Sequence, residues 1–131
     1  MAEFRFSNFD QFEQQFLTHL KETMPLVVEM KLYEIAYRLN AHIKRLTPVD
    51  TGRLKNSFTV GNLVKNGDEW YIEVGTNVEY SKHVEYGHRT RDHKGFVPGA
   101  HMVEISLRQL EQELPAEMSE WIQELMGALG Q

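Results

Sequence analysis

The sequence predicts an α+β fold: a small antiparallel sheet built on a β-hairpin, packed against one long helix, with further helices at both ends. Three observations carry this expectation. Val28, Leu32, Ile35 and Leu39 recur every three or four residues, the period of one helix face. Asn66-Gly67, a strong hairpin dipeptide, stands between two β-like runs, "NSFTVGNLV" and "WYIEVGTNV". Apolar residues return at helical spacing near both ends, as Phe9, Phe12, Phe16, Leu17 and Leu20, and as Val103, Leu107, Leu110 and Leu114.

Taken in order, Ser7 is placed to cap a first helix over residues 9–24, with Asp10 as its weaker capping-box partner. Pro25 suits the first position of a second helix, where its missing N–H costs nothing. That helix is expected over residues 26–46, with Ile43 and Leu46 continuing its stripe and His42 on the same face. His42 reads as a half-buried histidine with one hydrogen bond; the alternative is a subunit contact that titrates near pH 6.5.

Pro48 disfavours helix at Thr47 and ends the second helix there. Asp50, Thr51 and Gly52 then predict a capped turn, with one helical turn through Leu54. An Asp-Thr-Gly tripeptide also suggests a catalytic carboxylate. That chemistry needs a second carboxylate in a matched environment, and the sequence has a single copy of the tripeptide. The turn is therefore read as architecture.

In the hairpin, Gly61 is expected to mark a bulge, and Trp70, Ile72 and Val74 to form one buried face. "NVEYSKHVEYG" reads as a short helix stopped by Gly87. Residues 88–99, polar, basic and glycine-containing, read as a mobile loop. The last region reads as two helices over residues 100–129, broken or kinked at Pro115. Met118, Trp121, Ile122, Leu125 and Leu129 extend the stripe, while Gly127 and Gly130 loosen the end. The whole is expected to be one domain over 1–131, divided into helices at 8–46, hairpin and short helix at 55–87, loop at 88–99 and helices at 100–129.

Composition narrows the chemistry. With 131 residues, 41% apolar and 25% charged, the chain has the make-up of a globular protein. It contains no cysteine, which excludes disulfides and thiolate metal sites. No run approaches membrane-spanning length, and "MAEFRFSNFDQ" carries no apolar signal core, so synthesis in the cytosol is expected. The net charge of −5 is unevenly spread. From Gln109 onwards there are five Glu and no Lys or Arg, while residues 38–55 hold five basic residues and one acidic one. An acidic chain is a poor general binder of nucleic acid, because phosphate neutralisation dominates that affinity. The opposed ends could favour head-to-tail self-association; a solvated acidic helix face is the plainer reading.

His83, His88, His93 and His101 fall within nineteen positions, among Glu79, Glu85 and Asp92. They offer a metal-dependent hydrolase or nuclease as the rival function. Yet they match no compact ligand spacing, and solvated loop histidines are the default. No G-x-S-x-G serine or glycine-rich phosphate loop is present. Arg89, Arg91 and Lys94 could meet phosphate, but they lack the interleaved aromatics of a single-strand stacking platform. The surplus of Phe, Met and Trp, including Trp121, fills a core or lies in part at a subunit interface.

The segments "TPVDTGRLKNSF", "VEYSKHVEYGH" and "GFVPGAHMVEIS", in that order, resemble the tail-component or head–tail joining family of long-tailed bacteriophages and prophages. The resemblance runs from about Arg38 to Leu110 and rests on Thr47, Pro48, Asp50, Thr51, Gly52, Leu54, Tyr80, Val84, Glu85, Gly87, Phe96 and Pro98. Ser81 stands where Ala is usual, and Phe96-Val97-Pro98-Gly99 replaces a commoner Pro-Phe-Leu order.

The resemblance implies a small α+β virion protein of the neck or tail, assembled in the host cytoplasm, with no catalysis and no cofactor. It implies a ring of its own copies, six being the candidate number, closed only on assembly. The implied partners are the head connector and the tail-tube or terminator proteins. Genome DNA would only pass through the lumen, and no membrane is involved. The candidate contact residues are Tyr80, Glu85, Arg89, Arg91, Lys94, Phe96 and Trp121.

Overall fold

The computed structural model describes residues 2–5, 11–49 and 52–129, with the backbone alone for 2–5, 11 and 12. The chain is mixed helix and strand, as expected. In order it forms β1 (Ala2–Arg5), α1 (Gln11–Thr23), α2 (Pro25–Leu46), α3 (Arg53–Ser57), β2 (Thr59–Val60), β3 (Val64–Asn66), β4 (Glu69–Gly75), α4 (Ser81–Tyr86), β5 (Gly87–Arg89), β6 (Phe96–Pro98) and α5 (Met102–Leu129).

The strand β4 is the centre of a four-stranded antiparallel sheet. Along one edge it pairs with β1, from Ala2↔Val74 to Arg5↔Tyr71. Along the other it pairs first with β2 (Val60↔Val74) and then with β3 (Val64↔Tyr71). The register slips by one residue between these two pairs. Gly61 sits at the slip, and its N–H still bonds Glu73 O at 2.8 Å. This is the bulge that the glycine predicted.

Alternation along β4 buries Trp70, Ile72 and Val74 against α2. The long helix presents Val28, Leu32, Ile35, Leu39 and Ile43 to that face, all buried. Leu17 and Leu20 of α1, and Met102, Leu110, Met118 and Ile122 of α5, complete the buried apolar set. Each fully buried side chain of this size is worth about 1.5–3 kcal/mol.

Helices α2 and α5 run antiparallel. Arg38 reaches Glu117, and His42 Nδ1 lies 2.7 Å from Ser106 Oγ. His42 is thus half-buried with the single side-chain hydrogen bond expected of it.

The helix boundaries follow local chemistry. Met24, at φ −137° and ψ 60°, separates α1 from α2, and Pro25 opens α2. Thr47, extended at φ −75° and ψ 123°, ends it before Pro48.

Four expectations need correction. The N-terminal strand β1 was not foreseen: Ala2-Glu3-Phe4-Arg5 alternates apolar and charged residues, but over only four positions, and its partner β4 is remote in sequence. The hairpin turn is Gly67-Asp68, one residue later than Asn66-Gly67, because Asn66 pairs with Glu69. Gly67 takes φ 62°, the positive φ that a two-residue hairpin loop demands at its first central position.

Residues 88–99, expected as a loop, hold a second hairpin: Gly87↔Pro98, His88↔Val97 and Arg89↔Phe96. The expected two C-terminal helices are one, α5, with Pro115 inside it. Pro115 and Glu111, whose carbonyl loses its N–H partner, are both exposed, so water can satisfy that oxygen. The apolar stripe from Leu110 to Met118 and Ile122 runs unbroken past the proline. The Ser7 cap with its Asp10 partner, Phe9, Asp50, Thr51 and Gly130 lie outside the described residues.

Candidate assembly interface

The three sequence segments that carry the resemblance meet at one end of the α2–α5 pair. Thr47 is buried; its hydroxyl donates to Ile43 O at 2.7 Å and its N–H to Lys44 O at 3.2 Å. Gly52, at φ 84°, turns the chain into α3, and Asn56 N–H bonds its carbonyl at 3.0 Å. Leu54 is buried behind it.

Arg53 leaves the same turn and grips Glu79 with both guanidinium nitrogens at 3.1 Å. Its guanidinium also lies 5.4 Å from the Tyr80 ring centroid. Glu79's own backbone N–H, and after it the hydrogen bonds from Arg53, hold the Glu79 carboxyl below the usual carboxylate range. Pro48, Val49, Leu54, Tyr80 and Val84 line an open cleft of about 530 Å³ beside this joint.

Glu85 forms the second joint. It is buried, and its two carboxylate oxygens accept the N–H groups of Val103 (2.9 Å) and Glu104 (3.0 Å). These are free donors of the first turn of α5, where the helix dipole also favours a carboxylate. Beside it, Ala100 N–H bonds Val84 O at 2.8 Å and His101 N–H bonds Glu85 O at 3.1 Å. The chain passes so close to α4 that a Cβ on Gly99 would collide with the backbone of Glu85, Tyr86 and Gly87. A Cβ on Gly87, at φ 91°, would sit 2.5 Å from Val97 O.

The second hairpin projects from this joint. Its tip is tied internally: Thr90 Oγ1 donates to Asp92 Oδ1 at 2.6 Å, and Lys94 N–H donates to the same oxygen at 3.0 Å. Those two bonds hold the Asp92 carboxyl below its ordinary range. Arg89, Arg91, Lys94 and Phe96 are all exposed on this hairpin. Of the other candidate contact residues, Tyr80 is half-buried under Arg53, Glu85 is turned inward, and Trp121 is half-buried with Lys31 Nζ 5.9 Å from its ring centroid.

The four histidines do not converge. His83 and His88 stack at 5.6 Å between ring centroids. Among the described residues, one set of three ligand atoms lies within 4.8 Å, and its members are Glu85, His101 and Glu104. Glu85 is already occupied by two N–H groups, and Glu104 is held by Arg108 at 2.7 Å. His101 Nδ1 lies 3.0 Å from Glu104 Oε2 without the alignment of a hydrogen bond.

A family model described as "Bacteriophage HK97-gp10, putative tail-component" matches residues 10–87, which is 78 of the 131 positions. The matched stretch contains α2, the corner, the first hairpin and α4. The protein belongs to this tail-component family. No curated protein and no solved structure matches the chain. Membership in the tail-component family indicates a structural protein of a phage tail, working in contact with other virion proteins.

Within the tail-component family frame, Arg53 and Glu79 are the site residues that sequence reading missed. They stand twenty-six positions apart, and only the fold brings them together. Their signal was adjacency: each sits next to a motif residue, Gly52 and Tyr80.

Proposed function

We propose that the protein joins or completes the tail at the head–tail interface, as a ring-forming adaptor that acts without catalysis. One observation carries this reading. The motif residues Thr47 and Glu85, with the Arg53–Glu79 pair beside the motifs, hold the chain together, while large apolar side chains are left on the outer surface of α2 and of the second hairpin. A chain organised in this way presents contact area rather than converging reactive groups.

Head-to-tail contacts between identical subunits close into a ring when the rotation permits. The partners on either side of that ring are the head connector and the tail-tube or terminator proteins, and the place is the virion neck. An acidic chain around the lumen lets DNA pass without gripping its phosphates.

The test is genetic and biochemical. A phage lacking the gene should accumulate DNA-filled heads and separate tails, and purified protein added to that lysate should restore infectious particles. Particles that are joined and infectious without the protein would overturn the proposal.

A further inference from the structure

We infer that His101 is a proton-operated latch: a proton on its imidazole fastens the second hairpin to the start of α5, and losing that proton loosens them. The device lies within one chain and does not depend on the ring reading.

His101 sits between the two parts that it joins. Its N–H donates to Glu85 O at 3.1 Å, and its carbonyl accepts Ile105 N–H at 2.8 Å. It therefore ties α4 on one side and opens the hydrogen bonding of α5 on the other. Ala100 N–H adds the bond to Val84 O, and the hairpin is the stretch of chain that these bonds close off. The His101 backbone takes φ 51°, a left-handed value that residues other than glycine adopt uncommonly. Such a conformation persists only while its surroundings impose it. The ring therefore cannot move away without undoing the joint.

The imidazole faces carboxylates. Nδ1 is buried, has no hydrogen-bond partner, and lies 3.0 Å from Glu104 Oε2. One ring nitrogen and one carboxylate oxygen from each of Glu85 and Glu104 fall within 4.8 Å of one another. In a neutral imidazole one nitrogen is bare. If that is Nδ1, its lone pair faces a carboxylate oxygen, and two acceptors repel. If Nδ1 carries the hydrogen, the contact is misaligned and weak. A full positive charge removes both difficulties, because its attraction to the two carboxylates depends on distance rather than angle.

The other groups around the ring set the balance. From α5, Arg108 holds Glu104 at 2.7 Å, and the positive end of the helix opposes a cation. From α4, Tyr86 meets the ring edge-on at 6.4 Å between centroids, and the Glu85 carboxylate shares its charge with two N–H groups. Strand β5 brings His88, which is stacked on His83, and exposed Arg89 two positions beyond Gly87. Strand β6, Phe96-Val97-Pro98, brings no ionisable group. Two carboxylates against the guanidinium of Arg108 leave one negative charge for an imidazolium to match.

The sign follows from where the proton finds its partners. They surround it only in the closed joint, so closure is favoured on the acid side of the histidine range. It weakens as pH rises through that range, between about pH 5 and 8. Carboxylates ordinarily stay charged throughout that window.

Amide hydrogen exchange of the full chain, followed by NMR across that window and corrected for the intrinsic rate, reads the latch at Ala100 N–H. Protection there should fall roughly two- to fivefold from the acid to the alkaline end, the scale of a partly solvated ion pair. His101→Asn keeps a residue that accepts the left-handed conformation and cannot titrate, so its profile should be flat. Glu104→Gln should keep the fold and shrink the dependence. A flat wild-type profile overturns the inference whatever the variants do. So does protection that rises with pH, or an undiminished dependence in His101→Asn, which would move the effect to the His83–His88 stack.

Discussion

Arg38 on α2 and Glu117 on α5 form a bidentate ion pair, with both nitrogen–oxygen distances at 2.6 Å. Lys31 adds a third cationic contact at 3.8 Å. The pair spans the two longest helices beside the core and fixes their sliding register. The hydrogen bonds from Arg38 hold the Glu117 carboxyl below its ordinary range, and burial opposes them.

The sign of the pH effect follows. A carboxylate whose folded pKa is depressed stabilises the fold above its unfolded pKa, and this contribution is lost as pH falls through the folded value. Stability should therefore drop as pH falls below about 4.5, and Glu117→Gln should flatten that part of the profile. At pH 7 the substitution should cost about 1 kcal/mol, since the pair is partly solvated. Urea unfolding at pH 7 and pH 3.5 measures both; an unchanged acid slope in the variant would remove the pair from the account.

Glu85 is expected to matter more for the fold than a lone acid on a six-residue helix suggests. Glu85→Ala leaves the N–H groups of Val103 and Glu104 without their acceptors. The expected loss is about 1–3 kcal/mol, with Glu85→Gln intermediate because it keeps one acceptor oxygen. Equal stability of all three proteins in urea would show that water replaces the carboxylate at no cost.

How far the sequence was legible depends on the range of the interaction. Helix α2 was readable from Val28 to Leu39, and its end from Pro48, because both signals are local. The first hairpin was readable apart from a one-residue shift, since Asn66, Gly67 and Asp68 all suit turns and only pairing with β4 chooses among them. The second hairpin was hidden: three-residue strands carry no periodicity, and Gly87↔Pro98 is held by close packing on α4. Glu85 was read as a contact candidate, and its capping role was hidden because the helix end that it caps lies seventeen residues further on.

Two glycines separate packing from propensity. Gly99→Ala should cost upwards of about 2 kcal/mol, because its Cβ meets fixed backbone. The second hairpin must then lift away from α4. Gly127→Ala, with nothing within 4 Å of the added carbon, should be neutral or stabilise α5 by about 0.5–1 kcal/mol. Thermal unfolding of the two variants in parallel tests the contrast, and equal melting temperatures would contradict it.

Pro115 should be a tolerated defect. Inside a helix a proline forfeits one hydrogen bond and crowds the carbonyl four residues earlier, costing about 3 kcal/mol against alanine. Here α5 continues from Met102 to Leu129, and Leu110, Met118 and Ile122 are buried on both sides of the proline. Packing therefore holds the helix against its own local preference. Pro115→Ala should raise stability by about 1–3 kcal/mol, less whatever order the ring loses from the unfolded chain. Calorimetry measures it directly. A melting temperature that falls would mean that the proline's restriction of the unfolded chain outweighs the hydrogen bond it forfeits in α5.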